Sequence, residues 1–93
     1  EFYNKALALS PDFAAAWLNL GNMSFNRRNL DEALGYYKKA VLIDPNYAEA
    51  YYNIGVIYYH KGDIAGTKKI WLKTLSINPE HEGAKANLGR LGK

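Results

Sequence analysis

The apolar residues of the chain recur with the spacing of an α-helix. Residues 14–28 and residues 48–61 each place four small or apolar residues at positions i, i+3, i+4 and i+7, which is one face of a helix. These residues are Trp17, Leu20, Gly21 and Ser24 in the first segment, and Tyr51, Ile54, Gly55 and Tyr58 in the second. The spacing therefore predicts one amphipathic helix in each segment.

A polar break follows each of these helices, at residues 27–31 and 60–64, and a second amphipathic segment follows each break. The apolar side of these segments carries Leu30, Ala33, Leu34, Tyr37, Ala40 and Val41 in the first case, and Ile64, Thr67, Ile70, Trp71, Thr74 and Leu75 in the second. Asn29 and Glu32 have the spacing of a capping box that opens the first of them, and Asn46 and Glu49 repeat that spacing before the next helix. Since no segment has convincing strand signals, the pattern predicts paired helices throughout.

The same features return after 34 residues. Prolines stand at positions 11, 45 and 79, and an Asn-aliphatic-Gly triplet begins at Asn19, Asn53 and Asn87. Two independent markers with one period indicate an internal repeat. The glycines at 21, 55 and 89 are predicted to let the paired helix approach closely, with Ala33 filling the gap in the first repeat.

Within this period the residues resemble the signature of the tetratricopeptide repeat. The matching positions are Trp17, Leu20, Gly21, Ala33, Tyr37, Ala40 and Pro45, and then Tyr51, Ile54, Gly55, Tyr58, Trp71 and Pro79; Ser24, Thr67, Thr74, Lys85 and Gly92 depart from it. The resemblance implies an all-α, right-handed helical-hairpin solenoid of about six helices. The predicted units are the second helix of a truncated preceding repeat at residues 1–13, complete repeats at 14–47 and 48–81, and the opening or capping helix of a following repeat at 82–93.

The three asparagines of the triplets lie on a different side of their helices from the apolar face. At about 100° per residue, Asn53 groups with Tyr52 and Val56 rather than with Tyr51. Stacking equivalent helices places Asn19, Asn53 and Asn87 on one surface, which the resemblance implies is the concave surface where extended peptides lie. An amide both donates and accepts hydrogen bonds. The row therefore predicts a ladder that holds a peptide backbone, similar to that of O-linked N-acetylglucosamine transferase repeats; the alternative is that each asparagine only bonds a neighbouring helix.

The remaining predicted peptide contacts surround this row. They are Leu18, Asn22, Phe25, Tyr52, Val56, Tyr59 and Arg90, with Lys93 beside Arg90 for an acidic group. Repeats that clamp the acidic tails of chaperones use lysines and an arginine where Leu18, Gly83 and Asn87 stand here, so chaperone-tail capture is disfavoured. The sequence thus predicts a non-catalytic module that binds an extended peptide or partner segment. The alternative is self-assembly into a homo-oligomer through uncapped repeat ends, where Phe2, Tyr3, Leu7 and Leu9 form an apolar helix face.

Composition narrows the remaining functions. The chain has 93 residues, a net charge of +3 and no cysteine, which excludes disulfides, thiolate metal sites and a cysteine nucleophile. His60 and His81 lack a second ligand at metal-binding spacing and are expected to be solvated at loop ends, so no metal or cofactor is predicted. Lys68, Lys69 and Lys73 form a basic stripe that is predicted to be a solvated outer face, with contact to nucleic acid or an acidic protein as the disfavoured alternative. No apolar run approaches the roughly 18 residues that span a membrane.

Overall fold

The computed structural model describes residues 12–91, which form five α-helices and no strand. The helices are α1 (Asp12–Asn26), α2 (Leu30–Ile43), α3 (Ala48–His60), α4 (Ile64–Ile77) and α5 (Glu82–Leu91). α1 packs on α2 and α3 on α4 as two hairpins, α2 also packs on α3, and α4 packs on α5. The predicted all-α helical-hairpin solenoid is confirmed. The helix predicted within residues 1–13 and the residues Gly92 and Lys93 lie outside the described part of the chain.

The turns inside the two hairpins have the same backbone shape. Arg28 has a φ of 67°, and Gly62, 34 residues later, has a φ of 85°. Both values lie in the left-handed region, which favours glycine because it has no Cβ. The two turns therefore differ in cost although they trace the same path.

The predicted helix caps are partly confirmed. Asn29 caps α2, since its Oδ1 accepts from the Glu32 backbone N–H at 3.3 Å, and the Glu32 carboxylate accepts in return from Asn29 Nδ2. The second predicted capping box is wrong. Tyr47 occupies the N-cap of α3 without a side-chain cap, because Glu49 in the first turn reaches across to a side chain of the next unit instead.

Close glycine–aromatic contacts hold each hairpin together. A methyl group on Gly21 would lie 2.5 Å from Tyr37 Cε1, and one on Gly55 would lie closer still to Trp71 Nε1. The expectation that Ala33 fills the gap beside Gly21 is corrected, since the Tyr37 ring supplies the nearest atoms. Nothing lies within 4 Å of a Cβ built on Gly89. The close approach therefore belongs to the two hairpins only.

One hydrophobic core runs through the hairpins. Its buried members are Ala14, Leu18, Ala33, Tyr37, Ala40, Ala50, Ile54 and Ile57. Thr67 and Thr74 are also buried, and their hydroxyls donate to the carbonyls of Asp63 at 2.8 Å and Ile70 at 3.0 Å. Both hydroxyls are satisfied within one turn of the chain, so α4 carries threonine where the repeat signature has alanine without a buried unpaired polar group.

Candidate peptide-binding groove

Three adjoining pockets lie along α1, α3 and α5, and we call them together the groove. The α1–α3 pocket, of about 190 Å³, is lined by Asn22, Phe25, Tyr37, Asn53 and Val56. The α3–α5 pocket, of about 260 Å³, is lined by Tyr52, Val56, Tyr59, His60, Trp71, Asn87, Arg90 and Leu91. The turn pocket, of about 460 Å³, is lined by Phe25, Arg28, Leu30 and His60. Since Phe25, Val56 and His60 each line two pockets, the three spaces share walls.

Most of the residues predicted to contact a peptide line this groove. Those that do so are Asn22, Phe25, Tyr52, Asn53, Val56, Tyr59, Asn87 and Arg90. Leu18 and Asn19 line none of the three pockets. Leu18 is only 8% exposed and packs in the core, whereas Asn19 is exposed. Helix periodicity located the correct side of α3 and α5, but Leu18 and Asn19, toward the N-terminal part of α1, are not brought to it.

The asparagines in the α1–α3 pocket bond to each other and to the core. Asn22 Oδ1 accepts from the Tyr37 hydroxyl at 2.5 Å and from Asn53 Nδ2 at 3.3 Å. Burial raises the pKa of Tyr37 to about 12, and the charge of Glu49 acts in the same direction. Tyr37 is therefore a neutral hydroxyl that donates to Asn22, and the Asn22 carbonyl oxygen is already engaged from two sides.

The third asparagine of the predicted row belongs to a different network. Asn87 Nδ2 donates to the Tyr52 hydroxyl oxygen at 2.6 Å, and Asn87 Oδ1 accepts from Arg90 Nη1 at 3.3 Å. Asn53 and Asn87 thus both donate to a side chain of the preceding unit, Asn22 in one case and Tyr52 in the other. The three asparagines are not three identical rungs, because each has a different set of partners within the chain.

The two histidines have roles that the sequence did not indicate. His81 is not solvated at a loop end: its side chain is 11% exposed, its Nδ1 accepts from the Ala84 N–H at 3.1 Å, and its Nε2 lies 2.9 Å from Glu49 Oε1. His81 therefore caps the start of α5 and ties it to α3, with its ring 4.8 Å from that of Tyr52. His60 is exposed and lines two pockets. Its position on the same side of α3 as Val56 was the available signal.

The charges that line the groove are of one sign. Arg28 and Arg90 are the charged residues among the lining of the three pockets, and no aspartate or glutamate lines them. Within residues 12–91, no cluster of three or more histidine, aspartate or glutamate side chains could hold a metal ion. None of the five described helices is long and apolar enough to span a bilayer.

Comparison with known proteins identifies the family. A family model described as TPR repeat matches residues 21–62, and two described as Tetratricopeptide repeat match residues 2–35 and 48–81, so together they span residues 2–81. No curated protein sequence matches the chain.

Solved structures give the same fold. Two crystal structures of MamA superpose with TM-scores of 0.81 and 0.80 at 27% identity, over 96% of this chain and 52% and 49% of theirs. A chain in the crystal structure of the APC/C hetero-tetramer Cut9–Hcn1 superposes with a TM-score of 0.83 at 25% identity, over 89% of this chain and 16% of that one. This chain spans about half or less of the length of these structures. The matches and the paired helices support a protein–protein interaction module. The chain belongs to the tetratricopeptide repeat family.

Proposed function

We propose that the chain holds an extended segment of a partner protein in the groove. The observation that supports this most is the continuity of the groove, because Phe25, Val56 and His60 each line two of its pockets. A trough that crosses α1, α3 and α5 suits an extended chain, whereas a small ligand needs one enclosed pocket. Among the similar structures, the Cut9–Hcn1 hetero-tetramer is an assembly of two different proteins.

The polar groups of the α1–α3 pocket suit a main chain. Asn22 has its carbonyl engaged and presents its Nδ2, whereas Asn53 keeps its Oδ1 without a partner among the described residues. The pair therefore offers one donor side and one acceptor side, as a peptide group requires. Each such bond contributes about 0.5–1.5 kcal/mol net. We expect affinity for a single short peptide on the order of micromolar, about −8 kcal/mol.

The test blocks the groove at its centre. Val56→Arg places a long side chain where the α1–α3 and α3–α5 pockets meet, and Leu72→Arg is the matched control on the exposed surface of α4. Binding of a fluorescent random nonapeptide library is measured for both variants, with thermal unfolding as the check on folding. We expect Val56→Arg to lose binding and Leu72→Arg to keep it. Equal binding by the two variants would remove the groove from the proposal.

The rival function is self-assembly, and it makes a different prediction. Leu42 and Leu72, on the second helix of each hairpin, are 81% and 59% exposed, which is unusual for large apolar side chains on a monomer surface. Sedimentation velocity over a concentration series separates the two functions. Oligomers that persist in Val56→Arg, together with no peptide binding by the unmodified chain, would favour assembly.

A further inference from the structure

The α3–α5 pocket presents hydrogen-bond donors to a ligand. Arg90 Nη1 donates to Asn87 Oδ1, and Asn87 Nδ2 donates to the Tyr52 hydroxyl oxygen. A guanidinium has five N–H donors and no acceptor. Four of the donors of Arg90, and the hydroxyl proton of Tyr52, have no partner among the described residues, whereas the Asn87 and Tyr52 oxygens already accept a bond. A ligand that fits this set must bring acceptors.

The charge of the pocket also lacks a counterion within the described chain. The ion pairs among residues 12–91 are Lys61–Asp31, His81–Glu49 and Lys85–Glu80, and Arg90 belongs to none of them. Glu49, on the same helix as Tyr52, is held by His81. The acceptor that satisfies the free donors is therefore favoured when it carries a negative charge, because charge-assisted hydrogen bonds are roughly twice as strong as neutral ones.

The size and walls of the pocket limit what can carry that charge. Its volume is about 260 Å³, below the roughly 300–1,000 Å³ of small-molecule sites. Val56, Trp71 and Leu91 give it apolar walls. A space of this size and lining fits one or two side chains of a larger partner, an apolar one inside and an acidic one at Arg90.

We propose that the α3–α5 pocket binds a carboxylate of the partner segment beside a large apolar residue, while the Asn22–Asn53 pair holds the neighbouring main chain. This proposal rests on the proposed function, since it names the chemistry of the segment that the groove holds. The cation comes from Arg90, one helical turn beyond Asn87. Both an Asp or Glu side chain and a free C-terminus present the required carboxylate.

The experiment uses the 93-residue chain and three fluorescent nonapeptide libraries with one fixed aromatic residue. In the first, glutamate follows the aromatic residue and the C-terminus is amidated. In the second, glutamine replaces the glutamate. In the third, glutamine is kept and the C-terminus is a free carboxylate directly after the aromatic residue. Binding is measured by fluorescence anisotropy for the unmodified chain, for Arg90→Gln, and for Lys68→Gln, a matched loss of an exposed helical cation on α4.

We expect the first or the third library to bind about tenfold more tightly than the second, as about 1.4 kcal/mol for a charge-assisted bond implies. Whichever of the two binds more tightly identifies the source of the carboxylate. Arg90→Gln should remove this preference, and Lys68→Gln should keep it. Equal binding of all three libraries, or an equal effect of the two variants, would overturn the carboxylate proposal alone. If no library binds, the proposed function fails with it.

Discussion

The two described hairpins pack in the same way but use different polar partners. In the first, Gly21 makes room for the ring of Tyr37. In the second, Gly55 makes room for Trp71, whose Nε1 donates to the Tyr52 carbonyl at 3.0 Å. The glycine and the ring stand at equivalent positions in both, 34 residues apart. The shared part is the close approach of the helices, and the variable part is where the polar atom of the ring makes its bond.

That difference explains why the two halves of the groove differ chemically. The Tyr37 hydroxyl points to Asn22, so the first hairpin places an engaged amide in the α1–α3 pocket. Trp71 bonds to the backbone instead, which leaves the Tyr52 hydroxyl to accept from Asn87. One substitution beneath the groove therefore goes together with a change from a paired-amide pocket to a pocket with free donors and an arginine.

The largest effect should come from removing the ring of the second hairpin. Trp71 is 3% exposed, stacks on Tyr52 at 5.4 Å and also walls the α3–α5 pocket. Trp71→Ala should lower the free energy of unfolding by roughly 3–5 kcal/mol, because it leaves a cavity and removes a hydrogen bond. Urea unfolding followed by circular dichroism measures this. The adjacent exposed Leu72→Ala serves as the control and should change stability by less than about 0.5 kcal/mol.

The ring of the first hairpin should show itself through pH. The pKa of Tyr37 is raised to about 12 by burial and by Glu49, against about 10 in the unfolded chain. Its contribution is therefore fully present below pH 10, where both states are protonated, and is lost as pH rises from 10 to 12, where the unfolded chain ionises first. At about 1.4 kcal/mol per pKa unit, the loss is about 2–3 kcal/mol.

The Tyr37→Phe variant isolates this effect. It should start less stable by about 1 kcal/mol, because Asn22 loses a donor, but it should lose less stability between pH 10 and 12. Burial also raises the pKa of Tyr47, so a residual slope is expected, and Tyr47→Phe should keep the larger part of the loss. Urea midpoints across this pH range measure both. An unchanged slope in Tyr37→Phe would contradict the assignment.

The glycines test the shared part of the comparison. Alanine is favoured over glycine inside a helix by about 1 kcal/mol, but overpacking a filled core costs about 1–3 kcal/mol. Gly55→Ala should therefore lower stability by roughly 1–2 kcal/mol, since its methyl group would overlap Trp71. Gly35→Ala, on α2 with nothing within 4 Å, should raise stability by about 0.5–1 kcal/mol. Equal shifts in unfolding midpoint for the two variants would show that α3 and α4 are not in close contact at Gly55.

The sequence predicted those features that depend on local geometry. The 34-residue period and the helical spacing predicted the paired helices, and Asn29 was correctly identified as a cap. The contacts between helices depend instead on how one helix crosses another, which no local pattern contains. Asn53 meets Asn22, 31 residues earlier, rather than the equivalent Asn19. In the same way, Glu49 is drawn from its predicted cap by His81, 32 residues later, because packing of α5 brings the two together.

The smallest expected effect concerns the turns. Arg28 adopts a φ of 67° where the second hairpin has Gly62, and a side chain in that conformation costs about 1–2 kcal/mol. Arg28→Gly relieves this strain but adds freedom to the unfolded chain, so we expect a net gain of about 0.5–1 kcal/mol. Gly62→Ala introduces the strain into the other turn and should lose about 1 kcal/mol. Thermal unfolding of both variants, compared with the unmodified chain, measures the two shifts.

Arg28 also lines the turn pocket, so the same variant separates stability from binding. If the cations of the groove attract an acidic segment, Arg28→Gly should bind it more weakly and with less dependence on salt, because one charge near the path of the segment is gone. The chain would then be more stable and a poorer receptor at once. Anisotropy titrations with the glutamate library at two salt concentrations check this. A variant that gains stability and keeps its full affinity would confine the acidic contact to Arg90.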